Sequence, residues 1–357
     1  MNMINIKLVL LHEDTQYSSR LSRCFGEFFP QVEISAFSSI DIIIEAVSRM
    51  SADVLLVSEY FYDKQKSKLA AVKARCRVFI ILTKSSGINK LGEYPAICQY
   101  RMIDNLYSEI ISVYAEKTNA LLNMSSDTGK TTVCTFMSGA GGCGCSTAAA
   151  AYSVYLASRG NKIIYVDMNP LGMPELMFDG DGSYTLTDCF TALLSKKNNL
   201  NVQLETYSIK DISNVHFYSS CVNSLDWSDI TFENRTEFLD TLISGSNYDH
   251  VIVDLPSVWD NISAFMYKKS DNFFVVSNGR KIENARNVKL IDMIFTFIRS
   301  ENADPSKLKI VYSDYSGISV KLQDNRTDEY TVLPEISKFR NARELLDILS
   351  ASDIWER

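Results

Sequence analysis

No segment of the chain approaches the roughly 18 uninterrupted apolar residues that a membrane-spanning helix needs. A helical membrane span is therefore not expected. An excess of basic residues is also missing: the formal net charge is -7. That balance speaks against binding nucleic acid through bulk charge, and no nucleic-acid partner is expected. The opening stretch MNMINIKLVLLHED is too short and too soon acidic for a secretory signal. The eight cysteines form no regular framework, and only Cys143 and Cys145 lie close together. This pattern suits a reducing cytoplasm better than a disulfide scaffold. A disulfide between such near neighbours would be strained. No His or Cys pair at zinc spacing accompanies them, which argues against a zinc site. Internal repeats and low-complexity tracts are absent as well.

What the chain has is length and alternation. Its 357 residues are enough for two domains of ordinary size. In the first part, apolar runs at 7–11, 33–37, 53–58, 78–83 and 96–100 read as strands, with amphipathic stretches between them. This βαβ order predicts a parallel sheet covered by helices. A helix over 105–122 closes this part, and the polar stretch NMSSDTGKTT at 123–132 reads as a linker. New strands follow at 133–138, 162–167, 215–220, 250–255, 272–277 and 308–313. The expected fold class is α/β with two doubly wound domains, at 1–122 and 133–357.

Two stretches compete as phosphate loops. The GKTT at Gly129 to Thr132 precedes a strand rather than a helix, and Met124 stands where its first glycine belongs. It reads as linker. GAGGCGCST follows the strand VCTFMS and opens an alanine-rich helix, the context in which backbone N–H groups converge on an anion. The candidate nucleotide-binding residues are Gly139, Ala140, Gly141, Gly142, Cys143, Gly144, Cys145, Ser146 and Thr147. Ser146 stands where a hydroxyl reaches Mg²⁺. A glycine-rich turn that binds nothing is the plainer alternative. Asp167 ends the strand in IIYVDMNPLG and Asp254 ends the strand in YDHVIVDLPS; both join the candidate set, either one reaching a metal through water.

In this order, the glycine loop and the two strand-ending aspartates resemble the MinD/ParA family of P-loop ATPases over residues 133 to 350, with TVLPEISKFRNARE similar to that family's closing segment. The resemblance implies ATP and Mg²⁺ as ligands. It also exposes departures: Ala140 stands in place of the signature lysine, Cys145 in place of the phosphate-loop lysine, and Asn169 in place of an aspartate that positions water. Loss of cations and of a carboxylate weakens transition-state stabilisation more than binding, so at most a weak ATPase is expected, with no confident catalytic residue. Arg280 or Lys281 would be the replacement cation, set against the plainer reading of a solvated pair.

The first part resembles a response-regulator receiver, with Glu13 and Asp14 after the first strand and Thr83 ending the fourth. The phosphoacceptor position holds Ser58, Glu59 is one residue out of register, and QYRMIDN lacks the expected lysine. A docking module is the expectation. A degenerate receiver before a lysine-less MinD/ParA-like domain is similar to the TadZ/CpaE pilus-assembly proteins. That resemblance implies an ATP-held homodimer that localises a tight-adherence pilus secretion machine. It further implies a place on the cytoplasmic side of the inner membrane or at a cell pole, with peripheral membrane association and partners docked through the receiver-like domain. An active partitioning ATPase and a nucleotide-free scaffold are the alternatives.

Overall fold

In the computed structural model, residues 6–29, 32–49, 52–85, 87–118, 131–180, 182, 184–195, 200–223, 225–245 and 247–356 are described. The chain divides into two compact units. One comprises Met1–Met124 with Lys196–Thr206, the other Ser125–Ser195 with Tyr207–Arg357. Gly129 and Lys130 of the GKTT stretch, and most of the expected linker, lie outside the described residues.

The first unit runs β1 (Ile6–Leu11), α1 (Thr15–Phe28), β2 (Val32–Phe37), α2 (Ile40–Arg49), β3 (Ala52–Ser58), α3 (Glu59–Lys64), α4 (Lys66–Lys73), β4 (Cys76–Thr83), β5 (Lys90–Leu91), β6 (Tyr94–Cys98) and α5 (Ile103–Thr118). Its sheet has the order β2-β1-β3-β4-β6-β5, parallel except for the small β5–β6 hairpin, which the sequence pattern did not announce. The apolar runs are continuous because both faces of a parallel sheet are covered. In β1, Leu8 and Leu10 pack towards Phe25 and Ile110, while Val9 and Leu11 pack towards Ile43 and Leu69. Glu59 is the first residue of helix α3 and so is not on a strand at all; the turn after Ser58 removes it from the sheet register.

The second unit begins with β7 (Thr132–Met137), α6 (Cys145–Ser158), β8 (Ile163–Asp167) and α7 (Leu186–Leu194). The next helix, α8 (Leu200–Tyr207), belongs with the first unit: Val202 packs on the core around Leu106 and Tyr107, and the Thr206 hydroxyl donates to the Ser108 carbonyl at 3.1 Å. The second unit resumes with β9 (Ile209–Lys210), β10 (Val215–Phe217), α9 (Asp226–Asp229), α10 (Phe232–Gly245), β11 (His250–Asp254), α11 (Asn261–Lys269), β12 (Asn272–Ser277) and α12 (Lys281–Glu301). It closes with β13 (Leu308–Tyr315), β14 (Asp328–Pro334), α13 (Ala342–Leu349) and α14 (Ser352–Trp355). The sheet order is β14-β13-β12-β7-β11-β8-β10-β9, antiparallel only at β9–β10.

Helix α6 is central. Every residue from Ala148 to Ala157 is buried, between the sheet and the chain's last helices. Alanine at four successive positions lets the backbone approach its neighbours closely. Trp355 packs at a tilt against Tyr152 with ring centroids 4.9 Å apart and donates its indole N–H to the Leu349 carbonyl at 2.8 Å. The amphipathic C-terminal segment is thus docked on its own unit. Among the described residues, no helix is long and apolar enough to cross a membrane.

Candidate functional site

Strands β8, β11 and β7 lie side by side, and their carboxyl ends converge, the place where open α/β sheets take ligands. Asp254 pairs across the ladder with Asp167 on one side and Phe136 on the other. The chain leaves β7 into the glycine loop and enters α6 at its N-terminus, where four backbone N–H groups lack helical partners.

The loop is held from beneath. Asn287 of α12 is fully buried; its side-chain oxygen accepts from the Gly139 amide at 2.7 Å and its amide group donates to the Val276 carbonyl at 3.1 Å. Gly139 passes so near α12 that a Cβ there would lie 2.8 Å from the Arg286 backbone. Ser138 donates to the Ala140 carbonyl at 3.0 Å, and the Cys143 thiol donates to the same carbonyl at 3.1 Å. Ala140 and Cys143 are therefore buried, while Gly141 and Gly142 stand exposed at the tip. Gly144 caps α6 with φ of 80°, a left-handed conformation that a Cβ disfavours, and a Cβ there would also run into Ser313.

Cys145, Ser146 and Thr147 form the first turn of α6 and are half-buried. The Cys145 thiol donates to Asp254 Oδ1 at 3.5 Å, and the Tyr165 hydroxyl donates to Oδ2 at 3.0 Å. Ser146 hydrogen-bonds the same carboxylate. Burial, followed by the field of Asp254, pushes the Cys145 thiol well above its ordinary pKa, so it stays neutral. Cys145 is thus an uncharged donor aimed inward.

Asp167 and Asp254 are both buried, at 4 % and 2 % exposure. Burial and then the charge of Asp254 push Asp167 up to about 8, against a single backbone hydrogen bond from Asn169 at 2.9 Å. Asp254 is also raised by burial, despite its three side-chain donors. Asn169 turns its side chain to the Leu171 amide at 3.1 Å, and the chain wraps Asp167 closely enough that any side chain at Gly172 would collide with its carboxylate. A cavity of about 290 Å³ opens beside this loop, lined by Asp167, Asn169, Met173 and Trp227 among others.

Arg280 does not face these aspartates; it pairs with Asp314 at 3.1 Å, both half exposed, and Lys281 begins α12 as an exposed residue. Among the described residues, no group of three or more His, Cys, Asp or Glu is arranged to hold a metal ion. A divalent ion here would have to rely on Ser146, one carboxylate and water. The residues fit a Mg²⁺-bound nucleotide on two counts: an exposed glycine tip leading to the N-terminus of α6, and two buried carboxylates with raised pKa values. Asn287, Tyr165 and Ser313 were not anticipated. Only Tyr165 had a signal, since it lies two residues before Asp167 and so on the same face of β8.

The first unit carries a second cluster at its strand ends. The Ser58 hydroxyl donates to Glu13 Oε2. Asp14 caps α1, accepting from the Gln16 and Tyr17 amides at 2.8 and 3.0 Å. The Asp14 amide donates to His12 Nδ1, so His12 Nε2 carries the proton and donates to Gln99 Oε1 at 3.0 Å. The buried Thr83 hydroxyl donates to the Ser85 carbonyl at 3.1 Å. Burial alone would raise Glu13; the Ser58 hydroxyl and the residue's own backbone amide, with Lys84 nearby, outweigh it and hold the carboxyl below its ordinary value.

Residues 4–115 match the family model described as TadZ-like, receiver domain. No curated protein matches the chain. Among solved structures, a ParA family ATPase from Chlorobium tepidum TLS is similar at 17% identity, with 62% of this chain and 91% of that one covered and a TM-score of 0.50. The MinC:MinD cell division protein complex of Aquifex aeolicus matches at 17% identity, 60% and 93% coverage and a TM-score of 0.46. The septum site-determining protein MinD of Pyrococcus horikoshii OT3, complexed with Mg-ADP, matches at 19% identity, 58% and 82% coverage and a TM-score of 0.46. Residues 4–115 are thus similar to a TadZ-like receiver domain, and the chain shares its α/β fold over 62% of its length with the ParA family ATPase.

Proposed function

We propose that the chain is a localisation or assembly factor of a tight-adherence, type IV-like pilus machine, in which Mg-ATP promotes homodimerisation and is hydrolysed slowly if at all. The observation that carries this reading is Cys145. It occupies the loop-lysine position of α6, keeps its proton, and gives its hydrogen bond to Asp254 instead of to a phosphate. The loop from Gly139 to Thr147 would hold the nucleotide's phosphates through backbone N–H groups and the α6 N-terminus. Ser146, with Asp254 or Asp167 through water, would hold Mg²⁺, whose charge the two raised carboxylates favour. The bound ion would supply charge neutralisation for the phosphates. Asn169, turned to its own loop, would not position an attacking water.

A nucleotide that gains contacts only in the dimer shifts association by mass action, and slow turnover lengthens the dimer's life. Two copies of the receiver-like domain would then be presented together, which adds avidity for a repeated partner. Support for the pilus setting comes from the family match of the receiver domain and from the fold of the second unit. On this reading the protein works in the cytoplasm, at the inner membrane or a cell pole, through protein partners rather than nucleic acid.

Calorimetry with Mg-ATP on the full chain, run beside light scattering for mass, tests the proposal. Binding with a monomer-to-dimer shift and little phosphate released is the expected result. Turnover at the pace of ordinary MinD-type ATPases would refute slow hydrolysis, and absence of binding would make the protein a nucleotide-free scaffold.

A further inference from the structure

The charge of the chain is unevenly spread. Against a net charge of -7 overall, residues 59–94 carry eight basic residues (Lys64, Lys66, Lys68, Lys73, Arg75, Arg77, Lys84, Lys90) and three acidic ones (Glu59, Asp63, Glu93), a balance of +5. This segment comprises α3, α4, β4, β5 and the start of β6, all within the first unit. Part of the charge is neutralised locally. Lys68 pairs with Asp41 at 2.8 Å, Arg77 with Asp53 at 3.5 Å and Lys73 with Glu93 at 3.7 Å. Lys64 and Lys66 are different. Each is exposed, each lies over an aromatic ring, Tyr60 at 5.0 Å and Tyr62 at 4.6 Å, and neither has a carboxylate partner among the described residues.

Between α4 and the β5–β6 hairpin lies a groove of about 510 Å³. Leu69 and Phe79 are at its base, Tyr62 and Tyr94 form its sides, and Lys66 and Lys73 stand on its rim. Tyr94 packs against Phe79 at 4.8 Å and against Tyr62 at 5.9 Å, so the aromatic wall is fixed before anything binds. The Lys73 ammonium sits 4.2 Å from the Tyr94 ring centre and donates to its hydroxyl at 2.6 Å. Ala70 and Ala74 also line the groove and are exposed, leaving the α4 side low enough for a backbone to approach. A fixed aromatic wall, an apolar base and rim ammoniums together suit one kind of occupant.

We propose that this groove docks an acidic segment of a partner protein, with an apolar side chain lying on Leu69 and Phe79 and a flanking carboxylate meeting Lys66. The commitment to an acidic partner comes from charge complementarity: among the described residues, Lys64 and Lys66 have no carboxylate partner, and Glu93 is the one acidic side chain lining the groove. The commitment to a protein rather than a phosphate-bearing surface comes from the apolar base, which phosphates would leave unused. The inference rests on reading the receiver-like domain as a docking module and does not depend on the nucleotide site.

The test is selection from a random peptide library on the full chain without nucleotide, so that its failure leaves the nucleotide reading untouched. The selected peptides are then measured by fluorescence anisotropy against wild type, Lys66→Glu and Ala70→Trp, with circular dichroism to show that each variant is folded. Lys66→Glu reverses the rim charge, while Ala70→Trp fills the groove without altering charge. The expected result is enrichment of peptides with Asp or Glu around an apolar residue, weakened about tenfold or more by either substitution. Enrichment of basic peptides, no enrichment, or binding indifferent to both variants would overturn the proposal. So would tighter binding to phosphatidylglycerol vesicles or to a 20-base DNA strand than to any peptide, if Lys66→Glu abolished that binding.

Discussion

On the proposed reading, the strand ends of the two units carry the same kind of replacement with opposite results. Ser58 would stand at the acceptor position of the first unit, where it donates to Glu13, and Cys145 at the lysine position of the second, where it donates to Asp254. Each replacement removes a charge and supplies a hydrogen bond. At the first site the charge removed is negative, and what remains is satisfied internally: Glu13 by Ser58, Asp14 by the α1 amides, His12 by Gln99. Its carboxylates settle below their ordinary pKa values. At the second site the charge removed is positive, and two buried carboxylates are left facing one another with raised values. One cluster is electrostatically closed. The other is short of a cation, which is why only the second is proposed to bind a charged ligand.

The strongest way to break this contrast is to alter the second site's carboxylate. Asp254→Asn is expected to weaken Mg-ATP binding about 100-fold, roughly 2.7 kcal/mol, while Ser58→Ala leaves it unchanged; calorimetry on both variants decides. If Ser58→Ala weakened binding as much, the two clusters would not be independent. Next in size is restoration of the missing cation. Cys145→Lys is expected to raise ATP turnover about tenfold or more, because an ammonium would stand where charge develops in the transition state. Phosphate release under saturating Mg-ATP reads this directly, and an unchanged rate would place the deficit elsewhere, for instance at Asn169.

A third prediction reopens the closed cluster. Ser58→Asp puts a second carboxylate against Glu13 and removes its donor, so the melting temperature is expected to fall by several degrees, about 1–2 kcal/mol, and to recover in part with millimolar Mg²⁺. No fall would mean that Ser58 does not hold Glu13. A further comparison is in pH dependence, which should carry opposite signs at the two sites. Asp167 is raised from an unfolded value of about 3.8 to about 8, so the folded state holds the proton more tightly, and stability from this group falls as pH rises from about 4 to 8. Its slope is at most about 1.4 kcal/mol per pH unit. Glu13 is lowered, so its contribution is present above its unfolded value and is lost as pH falls. Urea unfolding in EDTA across pH 5 to 8 should show a flatter curve for Asp167→Asn than for wild type; an identical slope would show that Asp167 is not perturbed.

Much of this was legible because both sheets are parallel. Their strands must be apolar on both faces, and each ends in a residue presented at the same edge, so runs such as DVLLVS and HVIVDL mark strand and site position together. The strand–GAGGCG–helix context placed the loop for the same reason. Residues distant in sequence were not legible. Asn287, 148 positions from Gly139, looks like an ordinary polar residue in the local pattern of α12, and only the fold shows that it fixes the loop. The β5–β6 hairpin was missed because two-residue strands have no periodicity to detect.

The sequence by itself determined the α/β class, the strand order in the chain, and the uncharged Cys145 and Ser58 beside the two strand-end clusters, since each depends on residue type and local spacing. The tertiary structure alone decided that Cys145 and Ser58 turn inward to carboxylates, and that Asp167 and Asp254 stand on adjacent strands. It alone also decided that α8 joins the first unit. The physical reason is range: propensity and periodicity act over a few residues, whereas hydrogen bonding and the repulsion of buried charges act between whatever groups the fold brings together.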